Sequence, residues 1–312
     1  MMMIDQPGIY FDFDVAEYHA DCCPEPSLTQ SIAKILIERS PAHARLAHPR
    51  LAPPDPDGED ETPEKYDVAK AIGNAAHAYL IGRGKTIAVG DFPDWRKADA
   101  KAFREEALTA GRTPILAKHM VRATRMVEAA SDQLDAARWQ SAFDPDAGNG
   151  EVVIAWQEDG LWMRSLIDWL GTRVPTVYDY KSTGLSVAPH AIPNLMANAG
   201  WPIQAAMIER GLDALDPDNA GRRVFRFVAQ ENEPPYALTP IELGEAVLTM
   251  GRKQLQYAID IWHRSMETGE WPAYSSEICR PEYPGFREAQ WLTRETEDAD
   301  RRRPSQNALM AG

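Results

Sequence analysis

Residues 161–170, LWMRSLIDWL, and residues 176–181, TVYDYK, decide the fold that this chain is predicted to adopt. Both stretches are rich in β-branched and aromatic residues, and Gly171, Pro175 and a Ser-Thr-Gly turn at 182–184 bound them. This composition predicts two consecutive strands that form a hairpin-like pair. Such a pair would bring Asp168 close to Asp179.

The second stretch also places two charged side chains on one face. Alternate residues of a strand point the same way, so Asp179 and Lys181 are expected to stand side by side, roughly 7 Å apart. Two carboxylates and one ammonium at a sheet edge suit a hard divalent cation and a phosphate. The competing interpretation is a structural ion pair. A similar pattern, Asp99-Ala100-Lys101, lies in a polar helical run and is not taken as a site.

Composition limits the classes of function. The formal charge of −14 over 312 residues argues against a protein that coats nucleic acid, but it is compatible with an enzyme that has a local basic channel. Three cysteines form neither a disulfide framework nor the four-thiolate set that an iron–sulfur cluster needs. The absence of a long apolar run or a leader-like start predicts a cytoplasmic protein that does not associate with membranes.

The order of elements predicts a single large domain. Residues 1–26 are expected to be an irregular lead-in, residues 27–291 one catalytic domain, and residues 292–312 a disordered tail. Within the domain, helices are predicted at 115–139 and 240–266, and buried strands at 152–156 and 224–228. This alternation predicts an α/β or α+β fold, with a mixed central sheet flanked by helices and the first helices wrapped onto it.

Several motifs together resemble the PD-(D/E)XK nuclease superfamily, and more narrowly its RecE-type phage and prophage exonucleases. The resemblance covers the chain from about Tyr18 to about Trp291. Its elements are Ser40-Pro41-Ala42-His43, Gly73-x-x-x-His77, Asp168, Asp179-Tyr180-Lys181-Ser182-Thr183, Gln204 and Glu270-Trp271-Pro272-Ala273-Tyr274. One departure is Ile208, at a position where the superfamily often has a tyrosine that contacts DNA.

The resemblance implies a restriction-endonuclease-like core and a metal-dependent exodeoxyribonuclease. Its substrate would be linear double-stranded DNA, degraded 5′→3′ in phage-type recombination, with a ring-shaped homo-oligomer and an annealing protein as partners. His77, Asp168 and Asp179 would bind Mg²⁺, with Mn²⁺ as a substitute, and Lys181 and Gln204 would complete the catalytic set. An endonuclease or single-strand nuclease of the same fold, or a catalytically silent DNA-end module, remain alternatives.

DNA contacts are expected from local clusters of positive charge, because the net charge of the chain repels a duplex. The first candidate cluster follows the first predicted helix and the second precedes a strong strand. The predicted DNA-binding residues are Arg39, His43, Arg45, Arg50, Ser182, Thr183, Arg222 and Arg223, with Arg226 beside the last two.

Overall fold

The structure is a computed structural model that describes residues 3–54, 67–84, 86–139, 141–172 and 174–302. The chain divides into two compact units, Met1–Ala273 and Tyr274–Gly312. The second unit contains one described helix. The boundary between these units precedes the predicted end of the domain at residue 291, and residues 292–302 of the expected tail are helical. Residues 303–312, and most of an acidic, proline-containing stretch at 53–63, lie outside the described residues.

The described part of the first unit contains eight strands and nine α-helices, apart from one short 3-10 turn. The strands are β1 Gly8–Tyr10, β2 Ile87–Gly90, β3 Thr113–Leu116, β4 Gly148–Glu158, β5 Leu161–Gly171, β6 Thr176–Thr183, β7 Val224–Glu231 and β8 Leu238–Glu242. The helices are α1 Val15–His19, α2 Gln30–Glu38, α3 Pro41–Ala47, α4 Val68–Ile81, α5 Ala98–Thr109, α6 Ala117–Ala136, α7 Ile192–Ala199, α8 Trp201–Leu215 and α9 Glu245–Thr268. The helix of the second unit is α10, Gly285–Arg302.

Six strands form the central sheet, in the order β1-β4-β5-β6-β7-β8. All neighbouring pairs are antiparallel except β6 and β7, which run parallel over their full length from Thr176 opposite Val224 to Thr183 opposite Glu231. The predicted mixed sheet with flanking helices is confirmed. Strands β2 and β3 form a separate parallel pair.

Helices cover both faces of the sheet, as the alternation of side chains along β6 requires. Val177 faces a core built with α2, α8 and α9, whereas Tyr178 and Tyr180 face a second core built with α4 and α6. A strand buried on both faces is nearly continuously apolar, so Asp179, which is 2% exposed, is an exception that needs a reason.

The lead-in at residues 1–26 is more ordered than expected. Strand β1 pairs with β4, placing Ile9 opposite Ile154, and Ile4, Phe13 and Tyr18 are buried in a third core. The prediction failed because a three-residue strand has no periodicity of its own. Its place is set by the long partner strand β4.

Two predicted helices have different boundaries in the structure. Residues 113–116 form strand β3, so the helix expected at 115–139 begins only at Ala117. The helix expected from Pro240 begins at Glu245, because Pro240 lies on the edge strand β8 opposite Val228. An edge strand tolerates proline, since one side of it needs no N–H donor.

Candidate active site

The candidate site forms where β5 and β6 separate. These strands pair only at Trp169 with Tyr178 and at Leu170 with Val177, because β6 then continues alongside β7. The Asp168 side chain fills the gap, and its Oδ2 accepts a hydrogen bond from the Tyr180 backbone N–H at 2.9 Å. The predicted proximity of Asp168 to the Asp179–Lys181 segment is thus observed.

Helix α4 adds a histidine to the site. His77 Nε2 lies 3.3 Å from Asp168 Oδ2, and its Nδ1 lies 4.0 Å from Glu151 Oε1. The helix can approach β6 this closely because residue 73 is glycine, and a Cβ there would overlap the Ser182 hydroxyl. The Gly73-x-x-x-His77 pattern therefore has a physical basis: the glycine permits the close approach and the histidine, one turn later, uses it.

Asp179 is held from two sides. Lys181 Nζ lies 2.6 Å from Asp179 Oδ1, and the Gln204 side-chain amide on α8 donates to Asp179 Oδ2 at 2.5 Å. The Lys181 contact is close but poorly directed, so the buried Oδ1 atom has no well-aligned hydrogen-bond donor among the described residues. A buried carboxylate oxygen of this kind is costly to leave unsatisfied.

The environment separates the pKa values of the two aspartates. Burial, followed by the nearby Asp168 carboxylate, raises the pKa of Asp179 to about 6. Burial also disfavours the Asp168 carboxylate, but His77, Lys181 and the Tyr180 N–H outweigh it and hold the pKa of Asp168 below its usual value. The two carboxylates in turn raise the pKa values of His77 and Lys181 against the effect of burial.

Of the predicted ligands, the carboxylates of Asp168 and Asp179 suit a hard divalent cation, and His77 is a softer ligand that suits Mn²⁺ better than Mg²⁺. In the described part of the chain, no three His, Cys, Asp or Glu side chains lie ready-arranged around one point. Instead Asp168 is turned toward His77 and Asp179 toward Lys181 and Gln204. Mg²⁺ keeps several waters and needs only one or two carboxylates, and the poorly satisfied Asp179 Oδ1 is a suitable donor.

A cavity of about 440 Å³ opens onto this site, and His77, Asp168, Glu151, Lys70 and Asn74 line it. Sequence reasoning missed Glu151. It is the fourth residue of β4 and has a positive φ of 50°, and burial raises the pKa of its carboxyl group. No local pattern distinguishes it from other glutamates. Its proximity to His77 comes from the packing of α4 over β4.

The predicted DNA-binding arginines fall into two groups. Arg39, Arg45 and Arg222 are exposed, although Arg45 Nε also donates to the Leu51 carbonyl at 3.3 Å. Arg50 instead donates to the backbone carbonyls of Cys23 and Pro24, and the side chain of Arg223 is 3% exposed and paired with two aspartates. The guanidinium groups of these last two hold loops together, and their contact with DNA stays a prediction. The neighbouring Arg226 packs over the Trp139 ring and pairs with Glu242.

The remaining predicted residues are divided between the site and the scaffold. Ser182 and Thr183 continue β6 beyond Lys181 and are partly exposed beside the site. His43 lies away from it, in a helix cap: Ser40 caps α3 and its hydroxyl is 2.7 Å from His43 Nδ1. Ile208 is buried in α8, so it offers no surface to DNA.

The motif around Trp271 also has a structural explanation. The Pro272 carbonyl accepts a hydrogen bond from the Ala42 N–H, and Trp271 packs edge-on against Trp262 of α9 at 5.4 Å between ring centroids. These contacts tie α3 to α9. The motif therefore stabilises the helical layer behind the sheet.

No protein-family model and no curated protein matches the chain. Among solved structures, the crystal structure of a "putative exonuclease" from Eubacterium rectale is similar, with a TM-score of 0.55 and 10% sequence identity. The match covers 88% of this chain and 96% of that chain. At this identity the similarity shows a shared fold over nearly the whole of both chains.

Proposed function

We propose that this chain is a metal-dependent deoxyribonuclease that hydrolyses phosphodiester bonds at the ends of linear double-stranded DNA. The observation that carries the proposal is the convergence of His77 and Asp168 on one side, and Asp179, Lys181 and Gln204 on the other, where β5 and β6 separate. The fold shared with the Eubacterium rectale protein supports the same class of activity.

The residues have complementary roles in this proposal. Asp168 and Asp179, with His77, would hold Mg²⁺ or Mn²⁺, which lowers the pKa of bound water and stabilises charge on the phosphate. Burial lowers the pKa of Lys181, but Asp179 and Asp168 outweigh it and raise that pKa in the metal-free protein. As a cation, Lys181 would orient water and phosphate oxygens. Gln204 fixes the orientation of the Asp179 carboxylate through its amide.

The reaction is a hydrolysis. A water oxygen attacks phosphorus and gives up a proton, the bond from phosphorus to the neighbouring nucleotide's oxygen breaks, and that leaving oxygen takes up a proton, so each cleavage consumes one water. The 5′→3′ direction, a role in phage-type recombination, a ring-shaped oligomer and an annealing partner follow from the RecE-type resemblance and belong to the proposal on that basis.

The test compares linear and covalently closed duplex DNA of the same sequence, each incubated with Mg²⁺. An exonuclease degrades only the linear form, whereas an endonuclease also opens the circle and a silent DNA-end module leaves both intact. Duplexes labelled at either the 5′ or the 3′ end of one strand then report the direction of digestion. Asp168→Asn protein is the control for contaminating nuclease. Intact linear DNA under these conditions would refute the proposal.

A further inference from the structure

The most cationic stretch of the chain lies outside the predicted DNA-binding clusters. Residues 95–125 contain eight Lys or Arg and three Asp or Glu, a net charge of +5 by this count, in a chain of net charge −14. The remaining residues therefore carry −19. This stretch covers α5, β3 and the first half of α6. The function proposed above assigns it no role.

The positive charges are segregated on one flank of each helix. In α5 they lie at the i, i+4 and i+7 positions Lys97, Lys101 and Arg104, which share a flank at 3.6 residues per turn. Asp99 and Glu106 fall on the opposite flank, and Glu105 lies at the edge of the basic flank, one turn after Lys101. In the first half of α6, Lys118, Arg122 and Arg125 have the same i, i+4 and i+7 spacing. We call Lys97, Lys101, Arg104, Lys118, Arg122 and Arg125 the α5–α6 band.

Helix stability does not explain this arrangement. The helix dipole favours acidic residues near the N-terminus and basic residues near the C-terminus. Here Lys97 is the N-cap residue of α5 and makes no capping bond, and neither α5 nor α6 has a basic residue in its last turn. Charges placed against the dipole are better explained by an anionic partner.

The two stripes are adjacent in space. Lys118, at the start of α6, donates a hydrogen bond to the Pro93 carbonyl at 2.6 Å, in the loop that leads into Lys97. Phe92 and Trp95 anchor that loop by packing against Phe103 of α5, with ring centroids 5.6 and 6.3 Å apart. The loop therefore brings the N-terminal ends of the two stripes, at Lys97 and Lys118, close together.

The band also reaches the candidate site. Arg122 donates to the Asn232 carbonyl at 3.0 Å, and the Asn232 N–H donates to the Thr183 carbonyl at 2.9 Å. Thr183 is two residues beyond Lys181 on β6. A chain of two hydrogen bonds thus connects the α6 stripe to the edge of the site.

We infer that the α5–α6 band binds the phosphate backbone of the duplex that flanks the cleavage site. The inference rests on the proposed function and adds the path of the DNA to it. Each stripe spans seven residues, or about 10 Å, which matches about three phosphates along one strand. Lys97, Lys101 and Arg125 are exposed and make no ion pair within the described residues, so they suit phosphate contacts.

The experiment measures binding of a fluorescent 30-base-pair duplex in EDTA, so that no DNA is cleaved, across a series of salt concentrations. The test variant is Lys101→Ala/Arg125→Ala. The control, Lys253→Ala/Arg264→Ala, removes the same charge from exposed positions of α9, which packs on α8 and α2 behind the sheet. The band variant should bind more weakly, and the slope of log K against log[salt] should fall by about two.

The outcomes separate the two proposals. A reduced slope in the band variant with an unchanged control supports the band. An unchanged slope in the band variant, or an equal loss of slope in both variants, overturns the inference that the band binds DNA. This holds even if linear DNA is still degraded in Mg²⁺. If the wild-type protein neither binds nor degrades linear duplex DNA, the proposed function and the band both fail. Thermal unfolding of each variant confirms that the fold is retained.

Discussion

Gly73 on α4 lies directly against Ser182 on β6, so closely that a Cβ at position 73 would overlap the serine hydroxyl. A glycine inside a helix costs about 1 kcal/mol relative to alanine, so its presence needs a structural reason. That reason is the approach of α4 to the sheet, which brings His77 within 3.3 Å of Asp168. The helix–strand contact thus determines the geometry of the site.

The contact can be tested by a double-mutant cycle. Gly73→Ala should lower nuclease turnover by up to about tenfold, because the Ser182 hydroxyl must rotate away from the new Cβ or α4 must shift and carry His77 with it. Ser182→Ala alone should have a small effect. The double variant should regain most of the activity, since a Cβ at 73 would then meet only the Cβ of residue 182 at 3.5 Å. Strict additivity of the two effects would contradict this explanation.

The sequence predicted the elements of the site better than their surroundings. Asp168, Asp179 and Lys181 lie on long strands whose composition is unambiguous, and a strand fixes the direction of its own side chains. Glu151 and β1 could not be predicted in this way. Glu151 meets His77 of α4 and β1 pairs with β4, and in both cases the partner is distant in sequence, so no local periodicity encodes the contact.

The predicted DNA-binding arginines show the same limit of prediction from sequence. Arg50 and Arg223 are indistinguishable from Arg39 and Arg222 in sequence, yet the first two are committed to backbone carbonyls and aspartates. Clustering of charge along the chain does not predict which arginines are exposed and which pair with carbonyls or carboxylates. The spacing of charge around a helix, as in α5, contains more information, because it specifies a face.

The two aspartates are predicted to be individually essential. Asp168→Asn and Asp179→Asn should each reduce degradation of linear DNA by more than about a hundredfold, since even residues that only support metal ligands contribute factors of 10 to 100. Circular dichroism and thermal unfolding should show an intact fold. Near-normal turnover in either variant would show that the catalytic site lies elsewhere.

Lys181 is predicted to act on water and phosphate without binding the metal. Lys181→Met keeps the length of the side chain, which lies over the Phe227 ring, but removes the charge. Turnover should fall by about 10²-fold or more, as for the loss of other groups that stabilise developing charge. Calorimetric titration with Mn²⁺ should still show binding. Lost binding would make Lys181 part of the metal site, and Lys253→Met provides a charge-matched control on α9.

The stability of the metal-free protein should depend on pH through Asp179. Its pKa is raised from 3.8 to about 6 in the folded protein, so the folded state binds this proton more tightly than the unfolded state. The stabilisation is fully present below about pH 4 and is lost as the pH rises through about 6. Asp179→Asn removes this dependence, because its side chain is always neutral.

Urea unfolding in EDTA at pH 5 and pH 7.5 measures this effect. From pH 5 to pH 7.5, the free energy of unfolding of the wild type should fall relative to that of Asp179→Asn. The fall is about 1.4 kcal/mol for each unit of the pKa shift that lies between these two pH values. If the difference in free energy of unfolding between the wild type and Asp179→Asn is the same at both pH values, the raised pKa of Asp179 is contradicted.

The N-terminal segment is predicted to depend on a buried ion pair. Asp21 is fully buried, and its Oδ1 accepts hydrogen bonds from Arg164 at 2.6 Å and from the Ser27 hydroxyl at 2.7 Å. Asp21→Asn should destabilise the protein by about 3–5 kcal/mol, because Arg164, with a side chain 3% exposed, would lose its counter-charge. Asp21 has a φ of 68°, which asparagine also tolerates, so the substitution changes charge without adding backbone strain.

The matched control lies in the same segment. Asp12 pairs with Arg83 at 2.8 Å, but its side chain is 84% exposed, so Asp12→Asn should change stability by no more than about 1 kcal/mol. Urea unfolding monitored by tryptophan fluorescence compares the two variants. Because Arg164 of β5 also donates to the Tyr18 carbonyl of α1 at 3.1 Å, Asp21→Asn should also increase hydrogen exchange in α1. Equal effects of the two substitutions would show that the lead-in is held by its apolar contacts alone, with Ile4 and Tyr18 as the anchors.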